Sequence, residues 1–163
     1  SLLDTWPEEH NELPGTTTVT GDRQHIWTSG SFATALRSAL VYERGDTLCI
    51  GLGMPRQWLA SGKPIRATDA PTAFGTTSFE LCYRHERQEH QGTVTVFDSC
   101  DARELQVYLR LPDTFKPLVT SLPAGMRFED EQPVAVNSPK CSVLVVEQPR
   151  GTIRFRIPVH ESP

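Results

Sequence analysis

No apolar run in this chain approaches the ~18 residues of a membrane-spanning helix, so no span is expected within it. The opening stretch SLLDTWPEEH has neither a basic start nor an apolar centre, and no signal peptide is legible there. Charge of one sign is also missing. There are 16 Lys plus Arg against 20 Asp plus Glu, a formal net of -4, and the basic residues are scattered. The basic stripe that a phosphate-binding module shows is therefore absent, which argues against a nucleic-acid partner. Arg150, Arg154 and Arg156 alternate with apolar residues, as the wet face of a strand does. No nucleophile elbow, P-loop or dinucleotide fingerprint occurs. Gly51-Leu52-Gly53 is too short a glycine signal, and the long helix that phosphate binding needs does not follow it.

Cys49, Cys82, Cys100 and Cys141 are far apart, and no CxxC or Cys/His spacing marks a metal site. They read as small buried thiols in a sheet, with one disulfide open to an exported protein. The five histidines, His10, His25, His85, His90 and His160, read as surface residues of loops and the C-terminus. Asp98, Asp101 and Glu104 form a short acidic cluster. Calcium takes six to eight oxygens, so three carboxylates read as a solvated turn rather than a site. No metal and no cofactor is expected.

What is present is length for one core of ordinary size, 163 residues, and a change of pattern along it. Residues 1–27 are polar and irregular, broken by Pro7, Pro14, Gly15 and Gly21, and Thr16, Thr17 and Thr18 favour extended or loop backbone. From Thr28 the period becomes helical. Phe32, Leu36 and Leu40 recur every four residues, with Ala35, Ala39 and Val41 on the same broad face. Thr28 or Ser29 can cap the start and Gly45 can stop it, giving a helix over about 29–44. Such a helix cannot bury its apolar side alone, and must dock on a sandwich, a helical body or another chain.

After Gly45 the period is two. Strands are expected near 46–52, 65–68, 76–84, 93–98, 104–111, 126–129, 134–136, 141–147 and 152–158. A short helical turn at 55–60 would point Trp58 and Leu59 inward. Asp69-Ala70-Pro71, the polar run 85–91 and Gln148-Pro149-Arg150-Gly151 read as turns. Eight or nine short strands without intervening long helices predict a mostly β chain: a two-sheet antiparallel β-sandwich, jelly-roll-like, with one N-terminal docking α-helix.

The seam between helix and strands carries a resemblance. His25-Ile26-Trp27, Gly30-Ser31-Phe32, the helix through Leu40, Glu43, Gly45-Asp46, Leu48, Pro55, Trp58-Leu59, Gly62-Lys63, Gly75 and Ser78-Phe79-Glu80-Leu81 are its residues. Over roughly 5–84 it resembles the junction between an (α/α)6 toroid and its C-terminal β-sandwich in multidomain glycoside hydrolases, α-L-rhamnosidase-like and related. The resemblance implies that 1–44 ends a helical toroid and that 46–160 is the accessory sandwich. It implies a non-catalytic accessory or structural domain that braces or edges the catalytic toroid. The alternative is a stand-alone carbohydrate-binding or oligomer-forming module. Its partners would be the upstream (α/α)6 catalytic domain or a second copy, through the apolar helix, with carbohydrate as a ligand. A secreted or periplasmic location goes with that family.

The resemblance also gives Trp6-Pro7-Glu8-Glu9 a meaning, because related enzymes place a general-base carboxylate after a Trp-bearing loop near the end of the toroid. An inverting glycosidase sets that base about 6.5–9.5 Å from its acid, to leave room for water. Glu8 or Glu9 would serve in a complete parent enzyme, with Trp6 against sugar. The acid would come from outside this chain, which alone is expected to be inactive. Without the resemblance, Glu8 and Glu9 are solvated loop acids. Trp27, Phe32, Leu36, Leu40, Trp58 and Leu59 are assigned to packing between the two domains.

Overall fold

Period-two alternation puts the apolar residues of a strand on one face, and two such faces bury each other. The computed structural model, which describes residues 9–13, 16–20, 26–119, 122–133 and 140–161, realises that arrangement. The chain divides into two compact units, Ser1–Ser38 and Ala39–Pro163. In the smaller, β1 (Glu9–Leu13) and β2 (Thr16–Thr20) form an antiparallel hairpin that places Leu13 opposite Thr16. The β-branched threonines thus extend one strand of a pair in a segment expected to be irregular. Helix α1 (Ile26–Leu40) follows.

The larger unit holds β3 (Val41–Arg44), β4 (Thr47–Ile50), α2 (Arg56–Ala60), β5 (Ile65–Thr72) and β6 (Gly75–Arg84). A 3₁₀ turn at His85–Arg87 leads to β7 (Glu89–Val96), β8 (Glu104–Leu109) and β9 (Phe115–Pro117). Then come β10 (Met126–Pro133), β11 (Lys140–Glu147) and β12 (Thr152–Glu161). The first sheet has the order β10-β11-β8-β4-β3 and the second β5-β6-β7-β12-β9. Neighbours run antiparallel except β4 and β8, which are parallel with Leu48 opposite Leu105.

Leu48, Ile50, Leu105, Val107 and Leu144 of the first sheet meet Phe79, Leu81, Val94, Phe155 and Ile157 of the second in one buried cluster. Each such side chain contributes roughly 1.5–3 kcal/mol on leaving water. The core also fixes a glycine. A Cβ on Gly92 would stand 2.0 Å from Cζ of Phe155, so the ring occupies the place a side chain would need. The mostly β, two-sheet sandwich is therefore as expected.

Several details differ from expectation. The helix stops at Leu40, because 41–44 pairs with β4 as a hairpin, Val41 opposite Ile50, around a two-residue turn at Gly45-Asp46. Gly45, with φ +62°, makes that turn instead of ending the helix. Asp69-Ala70-Pro71 is no turn. It lies within β5, whose pairing with β6 shifts register between Ala67 and Ala70 while Asp69 takes φ +50°. The tight turn at 148–151 joins strands of different sheets instead of a hairpin, and β9 was not anticipated. The strand expected at 134–136 lies outside the described residues.

Candidate functional site

α2 is one short turn of helix entered from Pro55, whose fixed φ suits a helix start. It turns Leu59 into the core and leaves Trp58 40% exposed, so only one of the pair points inward. The Ser61 hydroxyl donates to the Trp58 carbonyl at 2.8 Å and accepts from the Lys63 amide, closing the turn. Trp58, Ser61, Lys63, Pro64 and Ile65 then line a shallow cleft of about 450 Å³. Where α1 ends, the Gly53 amide donates to the Ala39 carbonyl at 3.0 Å and the Gly51 amide to the Leu40 carbonyl at 2.8 Å. A Cβ at Gly53 would stand 2.9 Å from the Ala39 Cα, so this crossing requires glycine. Leu40 packs on the core. Phe32 and Leu36 are 50% and 40% exposed. Trp27 is 80% exposed, and at about 100° per residue it lies on the opposite side of α1 from Leu36.

Trp6 and Glu8 lie outside the described residues, and Glu9 is described only as the first position of β1. Among the described residues no three His, Cys, Asp or Glu side chains converge as a metal site. Glu104 is engaged otherwise, paired with Arg127, and the Asp98 backbone carbonyl accepts from Arg150. The four thiols are free and buried. His90 is not a surface residue. Its strand register points it inward, where it is 1% exposed between Tyr83, 4.9 Å away, and Phe115. Neither ring nitrogen has a partner among the described residues, and burial pulls its pKa down to about 4.

On the outer face of the first sheet two arginines are held by the sheet's own groups, while Arg110, just past β8, has a buried Nε without a partner among the described residues. Arg127 on β10 bonds Glu129 on its own strand at 2.9 Å, Glu147 on β11 at 3.0 Å and Glu104 on β8 at 2.9 Å. To reach β8 it must cross β11, above Val145, which is opposite Arg127 and fully buried. The chain of contacts continues. Gln106 donates to Glu104 at 3.0 Å, Tyr108 donates to Gln106 at 2.6 Å, and Arg44 donates to both Gln106 and Tyr108 at 3.0 Å. The hydrogen bond from Arg127 holds Glu104 below the usual carboxylate range. Burial foremost pushes Tyr108 up to about 12 and also raises Cys49 beneath it, so neither is poised to ionise near neutrality.

A larger cleft, about 490 Å³, opens at the sandwich edge among Leu109, Leu111, Phe115, Lys116, Cys141 and Ser142. Its principal charges, Arg56 and Asp113, are paired with each other. Burial raises the Cys141 thiol, so a reactive thiolate is not stabilised there.

The outer face of the second sheet is different. Cross-strand register aligns Arg66, Glu80, Thr93 and Arg154 in one row and Cys82, Gln91 and Arg156 in the next. Thr152, Thr95 and Ser78 form a row on one side, and Arg84 and Glu89 a row on the other. Arg66 is committed to Glu80 at 2.6 Å, and Arg84 donates to Gln91 at 3.4 Å. Arg154 and Arg156 make no hydrogen bond or ion pair among the described residues. Two grooves of about 380 and 330 Å³ meet at Thr93, which lines both. The alternation around Phe155 signals two arginines on one wet face. The other two come from β5 and β6, which no local pattern links to β12.

Comparisons with protein-family models, with curated proteins and with solved structures returned no match to this chain.

Proposed function

We propose that this chain is a non-catalytic accessory β-sandwich domain of a carbohydrate-active glycoside hydrolase, bracing or edging a helical catalytic domain against which α1 packs. The observation that carries this reading is the apolar face of α1, where Phe32 and Leu36 remain half exposed. Exposed neighbours of that size contribute when another surface covers them. α1 is followed by β3 without a linker, Leu40 by Val41. The seam resemblance supplies the identity of the covering surface. In this reading Glu8 and Glu9 belong to the catalytic domain's cleft, and Trp58 and Leu59 stiffen the junction.

The test begins with the intact mass and N-terminal sequence of the native protein. A longer chain with a helical domain upstream is expected. In that protein, the pair F32D and L36D should lower the melting temperature of the helical domain while the sandwich keeps its own transition. A native chain starting near Ser1 that self-associates through Phe32 and Leu36 would replace this account with an assembly module. Hydrolysis of aryl glycosides by this chain alone would overturn its non-catalytic part.

A further inference from the structure

We propose that the outer face of the second sheet is a binding face for an acidic polysaccharide, a uronate polymer whose carboxylates are taken by Arg154 and Arg156. This deepens the carbohydrate reading above and rests on it for the choice of a glycan. Four arginines, Arg66, Arg84, Arg154 and Arg156, share this face with Glu80, Glu89 and Asp69, whose carboxylate accepts from the Ser78 hydroxyl at 3.3 Å. The glutamates are not spread evenly. Glu80 holds Arg66, Glu89 accepts from Gln91 at 2.6 Å and lies 3.8 Å from Arg87, and no carboxylate among the described residues pairs with Arg154 or Arg156 on β12. A guanidinium presents a planar fork that matches a carboxylate, and the bond is strengthened because both partners are charged. Arg154 and Arg156 are two apart on one strand, hence about 7 Å along it. On a polymer crossing the strands both stand at its β12 end, where each can take a carboxylate.

The rest of the face fits a glycan. Thr93, Thr95 and Thr152 offer hydroxyls for a sugar, Thr95 and Thr152 lying 3.3 Å apart, while Ser78 is held by Asp69 and Gln91 by Glu89 and Arg84. The two grooves joined at Thr93 form a track rather than a closed pocket, which suits a polymer lying across strands. Phe79, Phe155 and Tyr83 all point into the core, and the exposed Phe97 follows the end of β7, away from Arg154 and Arg156 in the strand register. Duplex nucleic acid presents phosphates to the same arginines, and the comparators below separate it from a uronate polymer.

The experiment is affinity electrophoresis of the 163-residue chain through gels containing polygalacturonate. Fully methyl-esterified pectin, duplex DNA and polyglutamate are run as comparators. Retardation is expected with polygalacturonate, fading with salt, and abolished by methyl esterification, which removes charge but keeps the sugar. R154Q and R156Q should each weaken it on the order of tenfold, as a lost charge-assisted bond would. Both positions are exposed, and an unchanged melting temperature shows that the variants are folded. Arg127→Gln, on the other sheet, should change nothing. No retardation, equal retention of the ester, stronger retention by DNA or polyglutamate, or full binding by R154Q would each overturn the proposal. The α1 variants F32D and L36D should bind polygalacturonate normally. If they release a catalytic domain while no polymer binds, the accessory reading stands and this face is ruled out. If the polymer binds and no helical partner exists, the reverse holds.

Discussion

Acidification from about pH 7 to pH 4 should cost the sandwich ~3 kcal/mol through one side chain, His90. The imidazole is buried on the inner face of β7, opposite Tyr83 on β6 and Ile157 on β12, with Phe115 beyond. None of these neighbours carries a negative charge, and neither ring nitrogen is bonded among the described residues. In the folded protein the pKa therefore falls from 6.5 to about 4. In the unfolded chain it returns to about 6.5. Between the two values the unfolded state binds a proton that the folded state refuses, so protons favour unfolding. The contribution is intact above about pH 6.5, is lost as the pH falls toward 4, and changes no further below that.

The assay is urea denaturation followed by circular dichroism from pH 4 to 7.5, for the native chain and for His90→Leu. Leucine keeps an apolar body of similar size and removes two unsatisfied nitrogens. The variant should be no less stable at neutral pH, because an orphaned buried polar atom costs ~1–3 kcal/mol. Glu104, whose pKa lies below the ordinary range through its bond from Arg127, also loses its contribution in acid. It does so in both proteins, so the difference between them isolates His90. That difference should grow by ~3 kcal/mol from neutral to acid pH. A difference that stays flat, or a His90 resonance titrating near 6.5 in the folded protein, would refute the argument.

Gly92→Ala should destabilise by ~1–3 kcal/mol, since its Cβ would stand 2.0 Å from the Phe155 ring; pairing it with Phe155→Leu should recover part of the loss in a double-mutant cycle by urea melts. Gly45→Ala should cost ~1–2 kcal/mol, because the hairpin turn needs φ +62° there; the same melts check it. All four cysteines are buried, so Ellman's reagent should find essentially no reactive thiol in the folded protein and four in guanidinium. Arg127→Met should shift stability by less than ~1 kcal/mol at moderate salt despite its three carboxylate partners, because the network is solvent-facing; a loss above ~2 kcal/mol would mean that its cover over Val145 outweighs its charge.

The strands from β6 to β8 and β11 to β12 were legible because half-burial writes a period of two into each of them. The failures have physical causes. Val41 to Arg44 is too short to show a period, and it follows a helix whose apolar face Val41 continues, so the boundary was placed four residues late. Pairing with β4 decides the matter, through a turn whose glycine serves equally well as a helix stop. The parallel contact of β4 with β8 leaves no local trace at all, since it depends on which apolar faces meet in the core. β9 carries a proline, which argues against a strand unless it lies at an edge, and β9 is the edge of its sheet. His90 was misplaced because its neighbours Glu89 and Gln91 are polar. The alternation had begun, with histidine in the inward register.

The two outer faces of the sandwich divide their charge in opposite ways, and that division narrows where binding can occur. On the first sheet, Arg127 and Arg44 are each held by groups of that sheet, Arg127 by three carboxylates and Arg44 by Gln106 and Tyr108. A ligand arriving there would have to displace protein bonds to form its own, and would exchange one charged contact for another. On the second sheet, Arg66 is similarly held, but Arg154 and Arg156 make no hydrogen bond or ion pair among the described residues. A carboxylate can reach them without breaking an ion pair of the fold. The stronger network therefore marks the less available surface. Because Arg154 and Arg156 make no hydrogen bond or ion pair among the described residues, replacing them should alter any binding there while leaving the melting temperature unchanged.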